Sequence, residues 1–308
     1  MNNTAVIYHY FEKDTTYQDN LIFFLSVGIQ KNIDYFVVIS GPCSVQLPEL
    51  PNIKYIHTEN WNNDFGGYIR FLEAYFPGQH SYYIFINSSV RGPFLADHAG
   101  VSWTQVFTDY LKENTHLVGP TINLLPVASK HSLSYAQKYG ATPPFIHVQT
   151  SAYALTKQAV QHLVDIGFYN IQRELRKDEV IDDYELRLSQ EILKNNWAIQ
   201  SFFSIYNDLM ASSATTKYPN FSAVKGDVMY RQAFFGRSLS PTESVFVKIN
   251  RNMVGRYELA SHTFTALHAH RADFQTAASQ DLLDRSYVEA LKNTPLKLKI
   301  RKLFNPAY

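Results

Sequence analysis

The feature that most constrains the fold is a short apolar and aromatic run that ends abruptly in small polar residues. Residues 82–86 are apolar or aromatic throughout, and Asn87, Ser88 and Ser89 follow them directly. A continuous apolar run of this length is typical of a strand buried on both faces, as in a parallel sheet. Ligands of open α/β sheets bind just beyond the carboxyl ends of such strands. We therefore predict that the polar triplet lies at a ligand-binding edge.

Predicted strands and helices alternate through the first 120 residues. The apolar segments of strand length are residues 5–10, 35–40, 53–57 and 82–86. Helical segments at residues 19–29 and 65–76 separate some of them. This alternation indicates βαβ units, and therefore an α/β fold with a mostly parallel central sheet flanked by helices.

Three later segments are predicted from local pattern. Residues 123–147 carry three prolines and are predicted to be a long irregular loop. Residues 182–196 have the apolar spacing of a helix, and residues 243–249 have the composition of a strand.

Composition and charge exclude several classes of function. The chain has 28 Lys and Arg against 27 Asp and Glu, so its net charge of +1 gives no reason to expect a nucleic-acid partner. Cys43 is the single cysteine, which rules out a disulfide within the chain and suits a reducing compartment. The first residues lack the pattern of a signal peptide, and no apolar run approaches the ~18 residues that span a bilayer. We expect a cytoplasmic protein.

A second polar segment precedes the predicted helix at residues 65–76. Asn62, Asn63 and Asp64 suit the N-cap of that helix, and Gly66 and Gly67 follow in its first turn. Glycine is a poor helix former, so the pair indicates that another group approaches the backbone closely. A plain capped turn is the alternative interpretation.

In their order along the chain, these segments resemble the GT-A fold nucleotide-sugar glycosyltransferases. Residues 60–72 are similar to the Gly-containing helix start of that family, residues 87–89 take the place of its Asp-X-Asp motif, and residues 182–186 are similar to its acidic helix start. Four motifs narrow the resemblance to a bacterial and viral subgroup related to the rhamnan-synthesis glycosyltransferases of surface polysaccharides. They are Asp64-Phe-Gly-Gly-Tyr, Phe85-Ile-Asn-Ser-Ser-Val-Arg-Gly-Pro, Glu185-Leu-Arg-Leu-Ser and Glu243-Ser-Val-Phe-Val-Lys-Ile-Asn-Arg. The resemblance covers roughly residues 4–251.

The resemblance implies a GT-A (Rossmann-like) catalytic domain at residues 1–251 and a partly helical C-terminal extension at residues 252–308. The nucleotide-binding half would span about residues 1–120 and the acceptor half about residues 121–251. The implied activity is inverting transfer of a hexosyl or deoxyhexosyl group from a nucleotide-sugar to a hydroxyl of a growing cell-surface glycan, such as lipopolysaccharide or capsule. A non-catalytic carbohydrate- or nucleotide-binding module on the same scaffold is the alternative, and a nucleotidyltransferase is a third hypothesis.

The resemblance also assigns roles to residues. The general base is Asp183, which matches the second acid of the family pair, or Glu185, which matches the acid of the subgroup. The donor-binding candidates are Tyr8, Asp64, Gly66, Gly67, Asn87, Ser88, Ser89, Arg91, Lys248 and Arg251. The acceptor-side candidates are His147 and Gln149.

The triplet at residues 87–89 departs from the family motif because it has no carboxylate. Mg²⁺ and Mn²⁺ prefer charged oxygen ligands, so Asp64 is the residue that would hold a divalent cation, if one is used. Arg91, Lys248 and Arg251 are alternative sources of positive charge for the donor diphosphate. Ordinary loop or edge-strand charges are the alternative interpretation of these three. We expect weak metal dependence.

Basic residues alternate with apolar residues in a segment near the end of the chain. Residues 296–304 alternate Leu, Ile and Phe with Lys and Arg, which predicts peripheral contact with the inner face of a membrane, near a lipid-linked acceptor. An ordinary solvated helix is the alternative. His262, His268 and His270 lack the Cys or carboxylate spacing of a zinc site, which favours a polar surface segment.

Overall fold

The structure is a computed structural model, and it describes residues 2–96, 98–171, 173–207, 219–270 and 276–293. The strands are β1 (Thr4–Tyr10), β2 (Asp34–Ser40), β3 (Ile53–Thr58), β4 (Tyr82–Asn87), β5 (Val90–Arg91), β6 (Thr115–Gly119), β7 (Ile122–Leu124), β8 (Ile146–Val148), β9 (Ala152–Thr156), β10 (Ala198–Ser201) and β11 (Val247–Lys248). The α-helices are α1 (Thr15–Val27), α2 (Asn63–Tyr75), α3 (Trp103–Thr108), α4 (Lys130–Tyr139), α5 (Lys157–Asp165), α6 (Lys177–Val180), α7 (Arg187–Lys194), α8 (Ser204–Asn207), α9 (Pro241–Ser244), α10 (Arg256–Ala269) and α11 (Ala277–Leu291). A π-helical turn, Ile181–Leu186, joins α6 to α7, and a 3₁₀ turn, Ile249–Arg251, follows β11.

The centre of the fold is a seven-stranded sheet in the order β10-β6-β9-β4-β1-β2-β3. Neighbouring strands are parallel except at β9, which runs antiparallel to both β4 and β6. The predicted mixed α/β fold with a mostly parallel sheet is therefore confirmed. Two antiparallel ribbons lie outside this sheet, β5 with β11 and β7 with β8.

Both faces of the sheet are covered because the residues of each strand alternate between two apolar clusters. On one face, Ile7 and Phe85 pack with aromatic residues of α2 such as Phe65. On the other face, Ile86 packs with Phe24 of α1 and with residues of α3. Burial on both faces explains why the sequence of each central strand is a continuous apolar run rather than an alternating one.

The C-terminal helices share the first of these clusters. Leu267 of α10 and Leu282 of α11 are buried in the same cluster as the central strands. The described part of the predicted extension is thus helical. The basic segment at residues 296–304 lies outside the described residues. Among the described residues, no helix is both long and apolar enough to cross a membrane.

The prediction of an irregular loop at residues 123–147 is wrong, because that range contains α4 and most of the β7–β8 hairpin. Helix α4 begins at the N-cap Ser129, whose hydroxyl accepts from the amide of Ser132 at 3.2 Å, and ends at Gly140 in the left-handed conformation, with φ of 64°. Most of its side chains contact polar groups instead of an apolar core. The sequence therefore lacks the apolar period that marks a helix.

The predicted strand at residues 243–249 is also wrong for most of its length. Pro241 occupies the first turn of α9, a capping box formed by Ser240 and Glu243 closes that turn, and Val245 has a φ of 62°. Only β11 pairs with another strand. The helix predicted at residues 182–196 exists, but its first five residues belong to the π-helical turn.

Candidate functional site

The carboxyl ends of β1, β2 and β4 meet at one edge of the sheet. There the Nε2 atom of His9 lies 2.8 Å from the Oγ atom of Ser40, and the amide of Ser88 donates to the carbonyl of His9 at 2.9 Å. The hydroxyl of Ser88 accepts from the amide of Phe11 at 3.2 Å. Ser88 is therefore committed to joining the strand ends, while Asn87 and Ser89 on either side are only half-buried.

Asp64 lies beside the triplet and supplies the carboxylate that the triplet lacks. The side-chain amide of Asn87 donates to Asp64 Oδ2 at 2.9 Å. The Oδ1 atom of Asn87 accepts from the amide and the hydroxyl of Ser89, at 3.1 Å and 2.5 Å. Asn87 thus fixes the position of Asp64, which stands in the first turn of α2.

The electrostatics of Asp64 show which other charges are close to it. Burial raises the pKa of the Asp64 carboxyl to about 6, and the negative charge of Glu185 acts in the same direction. The hydrogen bond from Asn87 and the positive charge of Lys248 lower that pKa. Asp64, Glu185 and Lys248 come from α2, the π-helical turn and β11, so three distant parts of the chain converge at this edge.

The two candidate bases differ in their partners. Asp183 is 2% exposed, and its carboxylate accepts from the Lys138 ammonium, at 2.6 Å on Oδ2, and from the Tyr139 hydroxyl at 2.7 Å. Glu185 is half-buried, and no side chain or amide within the described residues donates a hydrogen bond to it. The carboxylate of Glu185 is therefore available to a ligand, whereas that of Asp183 is occupied by α4.

Lys248 faces the same space from the β5–β11 ribbon. Its strand pairs with β5 so that Lys248 lies opposite Val90, and the next amide, that of Ile249, donates to the carbonyl of Ser89 at 3.2 Å. Lys248 is half-buried and has no ion-pair partner among the described residues. Its charge lowers the pKa of both Asp64 and His147.

His147 stands on the β7–β8 hairpin, in register with Asn123. The side-chain amide of Asn123 lies 3.3 Å from the Nε2 atom of His147. Burial lowers the pKa of His147 to about 4, and the nearby charges of His131 and Lys248 act in the same direction. The imidazole is therefore neutral at pH 7, and it can exchange hydrogen bonds without adding charge to the site.

Gln149 and Arg251 are joined through Asp227, a residue that the sequence did not single out. The side-chain amide of Gln149 donates to Asp227 Oδ2 at 2.8 Å, and the guanidinium of Arg251 lies 3.0 Å from the same oxygen. Arg251 also bonds the hydroxyl of Tyr230 and covers its ring, with 4.6 Å between guanidinium carbon and ring centroid. The structure thus places Arg251 with the predicted acceptor side.

Several buried polar atoms on this side have no hydrogen-bond partner among the described residues. They are Thr121 Oγ1, Asn123 Oδ1, His147 Nδ1 and Ser151 Oγ. The segment that carries them is tied to the triplet, because the amide of Asn87 donates to the carbonyl of Ser151 at 3.0 Å. Unsatisfied buried polar groups are costly and uncommon, so this cluster indicates a place for a polar ligand or for ordered water.

Two donor-binding candidates lie away from this cluster. Arg91 is 6% exposed, donates from Nε to Asn20 Oδ1 at 2.9 Å and faces α1 and α10. Tyr8 is buried in the second apolar cluster and stacks on Phe24 at a centroid distance of 4.4 Å. The structure does not bring either side chain together with Asp64 and Asn87.

The glycine pair of α2 is explained by close packing within the chain. A Cβ atom on Gly67 would lie 2.3 Å from Cδ2 of the His9 ring. One on Gly66 would lie 1.7 Å from the carbonyl oxygen of Trp61. The predicted close approach is real, and the approaching groups are His9 and Trp61.

The side chains that could act as metal ligands at this edge fit a divalent cation only in part. Within the described ranges, no group of three or more His, Cys, Asp and Glu side chains is arranged to hold a metal ion. Asp64 and Glu185 are the two neighbouring carboxylates, and Mg²⁺ bound by two carboxylates takes its remaining ligands from water and substrate phosphates. The Lys248 ammonium occupies the same neighbourhood and would compete with a cation.

Comparisons with known proteins give a distant likeness. No family model and no curated protein matches the chain. The solved structures that match include two of the galactosyltransferase LgtC, one in complex with donor and acceptor sugar analogs and one an active-site mutant. They are 8% and 9% identical to this chain, cover 91% of it and all of their own length, and have TM-scores of 0.43 and 0.42. An overlap of this quality carries no conclusion about activity.

Proposed function

We propose that the chain is a glycosyltransferase that moves a sugar from a nucleotide-sugar donor to a hydroxyl of an acceptor. The observation that carries this proposal is the convergence of Asp64, Asn87, Glu185 and Lys248 at the carboxyl edge of the sheet. These groups combine an unpaired carboxylate, an unpaired ammonium and a hydrogen-bonded carboxylate. Displacement at a sugar carbon needs a base for the acceptor, positive charge for the departing diphosphate and acceptors for sugar hydroxyls.

On the donor side, Lys248 stabilises the leaving nucleoside diphosphate. The negative charge on the diphosphate grows as its bond to the sugar breaks, and a fixed ammonium stabilises that growing charge. Asp64 is negatively charged and suits hydroxyl donors, so in this proposal it accepts hydrogen bonds from the donor sugar or ribose. Asn87 holds it in place.

On the acceptor side, Glu185 is the general base. Its carboxylate takes the proton of the acceptor hydroxyl while the hydroxyl oxygen attacks the anomeric carbon. The bond from that carbon to the diphosphate oxygen breaks, and the electron pair leaves with the diphosphate. A single displacement of this kind inverts the anomeric configuration.

The orphaned polar atoms around His147 support a polyhydroxyl acceptor. A sugar presents many hydroxyls, each of which both donates and accepts, so it suits unsatisfied polar atoms such as Asn123 Oδ1, His147 Nδ1 and Ser151 Oγ. The finer assignment, to synthesis of a cell-surface glycan by the rhamnan-synthesis subgroup, is supported by the motif resemblance alone. We also propose that the protein works in the cytoplasm at the inner face of a membrane, and that residues 296–304 make peripheral contact with that membrane.

Thermal shift with nucleotides tests the proposal. We expect one of the diphosphates UDP, GDP and dTDP, or the monophosphate CMP, to raise the melting temperature by a few degrees, because a ligand at about 100 times its Kd stabilises the folded state by about 2.7 kcal/mol. Lys248→Met should remove most of that shift. Lys112→Met, at an exposed position near α3, is the control and should keep it. Failure of all four nucleotides to move the transition would contradict a nucleotide-sugar enzyme.

A further inference from the structure

Two segments of the candidate site place an aromatic residue next to a carboxylate. Phe65 follows Asp64 in the first turn of α2, and Tyr184 precedes Glu185 in the π-helical turn. Both aromatic side chains are fully buried, whereas the two carboxylate residues are only half-buried. Each aromatic ring therefore holds the residue beside it against the core.

The two aromatic rings stack on each other. The ring centroids of Phe65 and Tyr184 are 4.6 Å apart, and the ring planes differ by 7°. Phe168 packs edge-on against Tyr184, with 5.4 Å between centroids and an interplanar angle of 74°. Such aromatic pairs are favourable beyond the area they bury, and a close-packed interior resists a change in their spacing. The stack therefore joins the chain segment of Asp64 to that of Glu185.

A second contact links the same two parts of the chain. The side-chain amide of Asn62, which precedes α2, donates to the carbonyl of Arg173 at 3.0 Å, and Asn62 Oδ1 accepts from the amide of Leu175 at 2.6 Å. Residues 173–175 lead into α6, which continues into the π-helical turn. The start of α2 is thus held to the segment before the π-helical turn, and the stacked rings set the spacing within that frame.

The pKa of Asp64 depends on the spacing of the two carboxylates. Burial raises this pKa most, and the negative charge of Glu185 raises it further. Repulsion between like charges falls as their distance grows. A change that moves the π-helical turn away from α2 should therefore lower the pKa of Asp64, which gives an observable that needs no substrate.

We propose that Phe65 and Tyr184 are positioning residues, whose stacked rings fix the distance between Asp64 and Glu185. This inference rests on the proposed function, in which Asp64 contacts the donor and Glu185 takes the proton of the acceptor hydroxyl. The attacking oxygen must then meet the anomeric carbon in the correct geometry, and a misplacement of about 1 Å can cost about a hundredfold in rate. The rings contact no substrate themselves and act through the two carboxylates.

The pKa of Asp64 in three variants tests the proposal without an activity assay. Titration of protein with ¹³C-labelled aspartate carboxyl groups gives this pKa, and Asp64→Asn identifies the signal. Tyr184→Leu should lower the pKa from about 6 toward 3.8, whereas Tyr184→Phe keeps the stack and should leave it unchanged. Phe24→Leu is the matched control, because Phe24 is also fully buried and stacks on Tyr8 at 4.4 Å, in the apolar cluster on the other face of the sheet.

A double variant separates the spacing of the carboxylates from the exclusion of water. In a Glu185→Gln background, Tyr184→Leu should change the pKa of Asp64 much less than in the parent, because the neighbouring charge is already gone. An equal fall in both backgrounds would mean that the stack only keeps water away from Asp64. That result would overturn the proposal, as would an unchanged pKa in Tyr184→Leu or an equal fall in Phe24→Leu. If Tyr184→Leu does not fold, Phe65→Leu breaks the stack from the other side and is judged by the same criteria.

Steady-state kinetics connects the spacing to the reaction. Tyr184→Leu should lower kcat about tenfold or more and change the donor KM less than about twofold, because the groups that contact the donor remain. Tyr184→Phe should keep both constants and at least the parental melting temperature, because the Tyr184 hydroxyl has no partner among the described residues.

Two kinetic results would overturn the positioning role. One is a normal kcat in Tyr184→Leu despite a lowered pKa of Asp64. The other is a loss in Tyr184→Phe as large as that in Tyr184→Leu, which would assign the effect to the hydroxyl. If the parent turns over no donor, the proposed function fails, and the pKa measurements still decide whether the stack sets the spacing of the carboxylates.

Discussion

Asp64 places a carboxyl group in an environment that disfavours the ionised form. Its pKa is raised from 3.8 to about 6, first by burial and then by the charge of Glu185. The folded state therefore holds this proton more tightly than the unfolded state does. It follows that this residue lowers the free energy of unfolding as the pH rises from about 4 to about 6, and that the loss persists at neutral pH. A residue that costs stability in this way is a good candidate for function.

The first prediction separates the effect of Asp64 on the stability of the fold from its effect on turnover. Above pH 6, Asp64→Asn should raise the free energy of unfolding by about 1–2 kcal/mol, because it removes a partly buried charge. The same variant should lose roughly a hundredfold in turnover. Urea unfolding between pH 4 and 7.5, together with a transfer assay, measures both. Asp109→Asn, at an exposed position, is the control, and an Asp64→Asn variant that is active but less stable would show that Asp64 has a structural role only.

The second prediction distinguishes the two acids of the π-helical turn. Glu185→Gln should cut transfer by roughly 10²–10⁴ while nucleoside diphosphate binding is unchanged, since a base acts on the acceptor hydroxyl. Asp183→Asn should instead lower the melting temperature and leave most of the turnover, because Asp183 is bound to Lys138 and Tyr139. Calorimetry with the nucleotide and a transfer assay give the two readouts. The reverse pattern would make Asp183 the base.

At the scale of elements, α4 shows what local pattern misses. The helix is joined to the π-helical turn by polar pairs, among them His131 with Asp182 at 2.7 Å and Ser134 with Asp182 at 2.6 Å. These partners are close in space and about fifty residues apart in sequence, so a local sequence pattern does not predict their contacts. They brace the turn that carries Glu185.

The third prediction compares two lysines of α4 that differ mainly in the burial of their partners. Lys138→Met should cost about 2 kcal/mol, because it leaves the buried Asp183 without its nearest cation. Lys130→Met should cost much less than Lys138→Met, because the side chains of Lys130 and Asp178 are 70% and 53% exposed and solvent screens their attraction. Chemical denaturation gives both values. Equal losses of stability in the two variants would mean that burial of the carboxylate does not decide how strongly the ion pair stabilises the fold.

The fourth prediction concerns the β5–β11 ribbon and the source of positive charge. If Lys248 neutralises the diphosphate, activity should persist in part in EDTA, and Lys248→Met should reduce the rate more than metal removal does. The rates are compared at one donor concentration, with Lys112→Met as control. Complete loss in EDTA, full recovery with Mn²⁺ and a near-normal rate for Lys248→Met would show that a metal does this work.

The central strands could be predicted because burial on both faces gives each of them a continuous apolar run in the sequence. Asp64 and Asn87 could be predicted because the order of the motifs placed them at strand and helix ends. Asn123 and Asp227 could not, because they reach the site through a hairpin with strands of three residues and through a long segment without regular pattern. Arg91 belongs to a predicted motif, yet packing against α1 and α10 turns it away from the Asp64 cluster.

At the scale of the whole molecule, one edge of the sheet gathers groups from four parts of the chain. The start of α2, the end of β4, the π-helical turn and β11 supply Asp64, Asn87, Glu185 and Lys248, respectively. The C-terminal helices share the core of the sheet through Leu267 and Leu282, so they belong to the same folded body.

In our proposal, this edge of the sheet binds and cleaves a nucleotide-sugar. The most direct measurement is release of nucleoside diphosphate from a panel of UDP-, GDP- and dTDP-sugars, with the parent protein and with Asp64→Asn at equal concentration. We predict that at least one donor is turned over by the parent, and that Asp64→Asn lowers the rate roughly a hundredfold while remaining folded. Binding of the donors without release by either protein would indicate a non-catalytic module, and equal rates for both proteins would place the chemistry elsewhere.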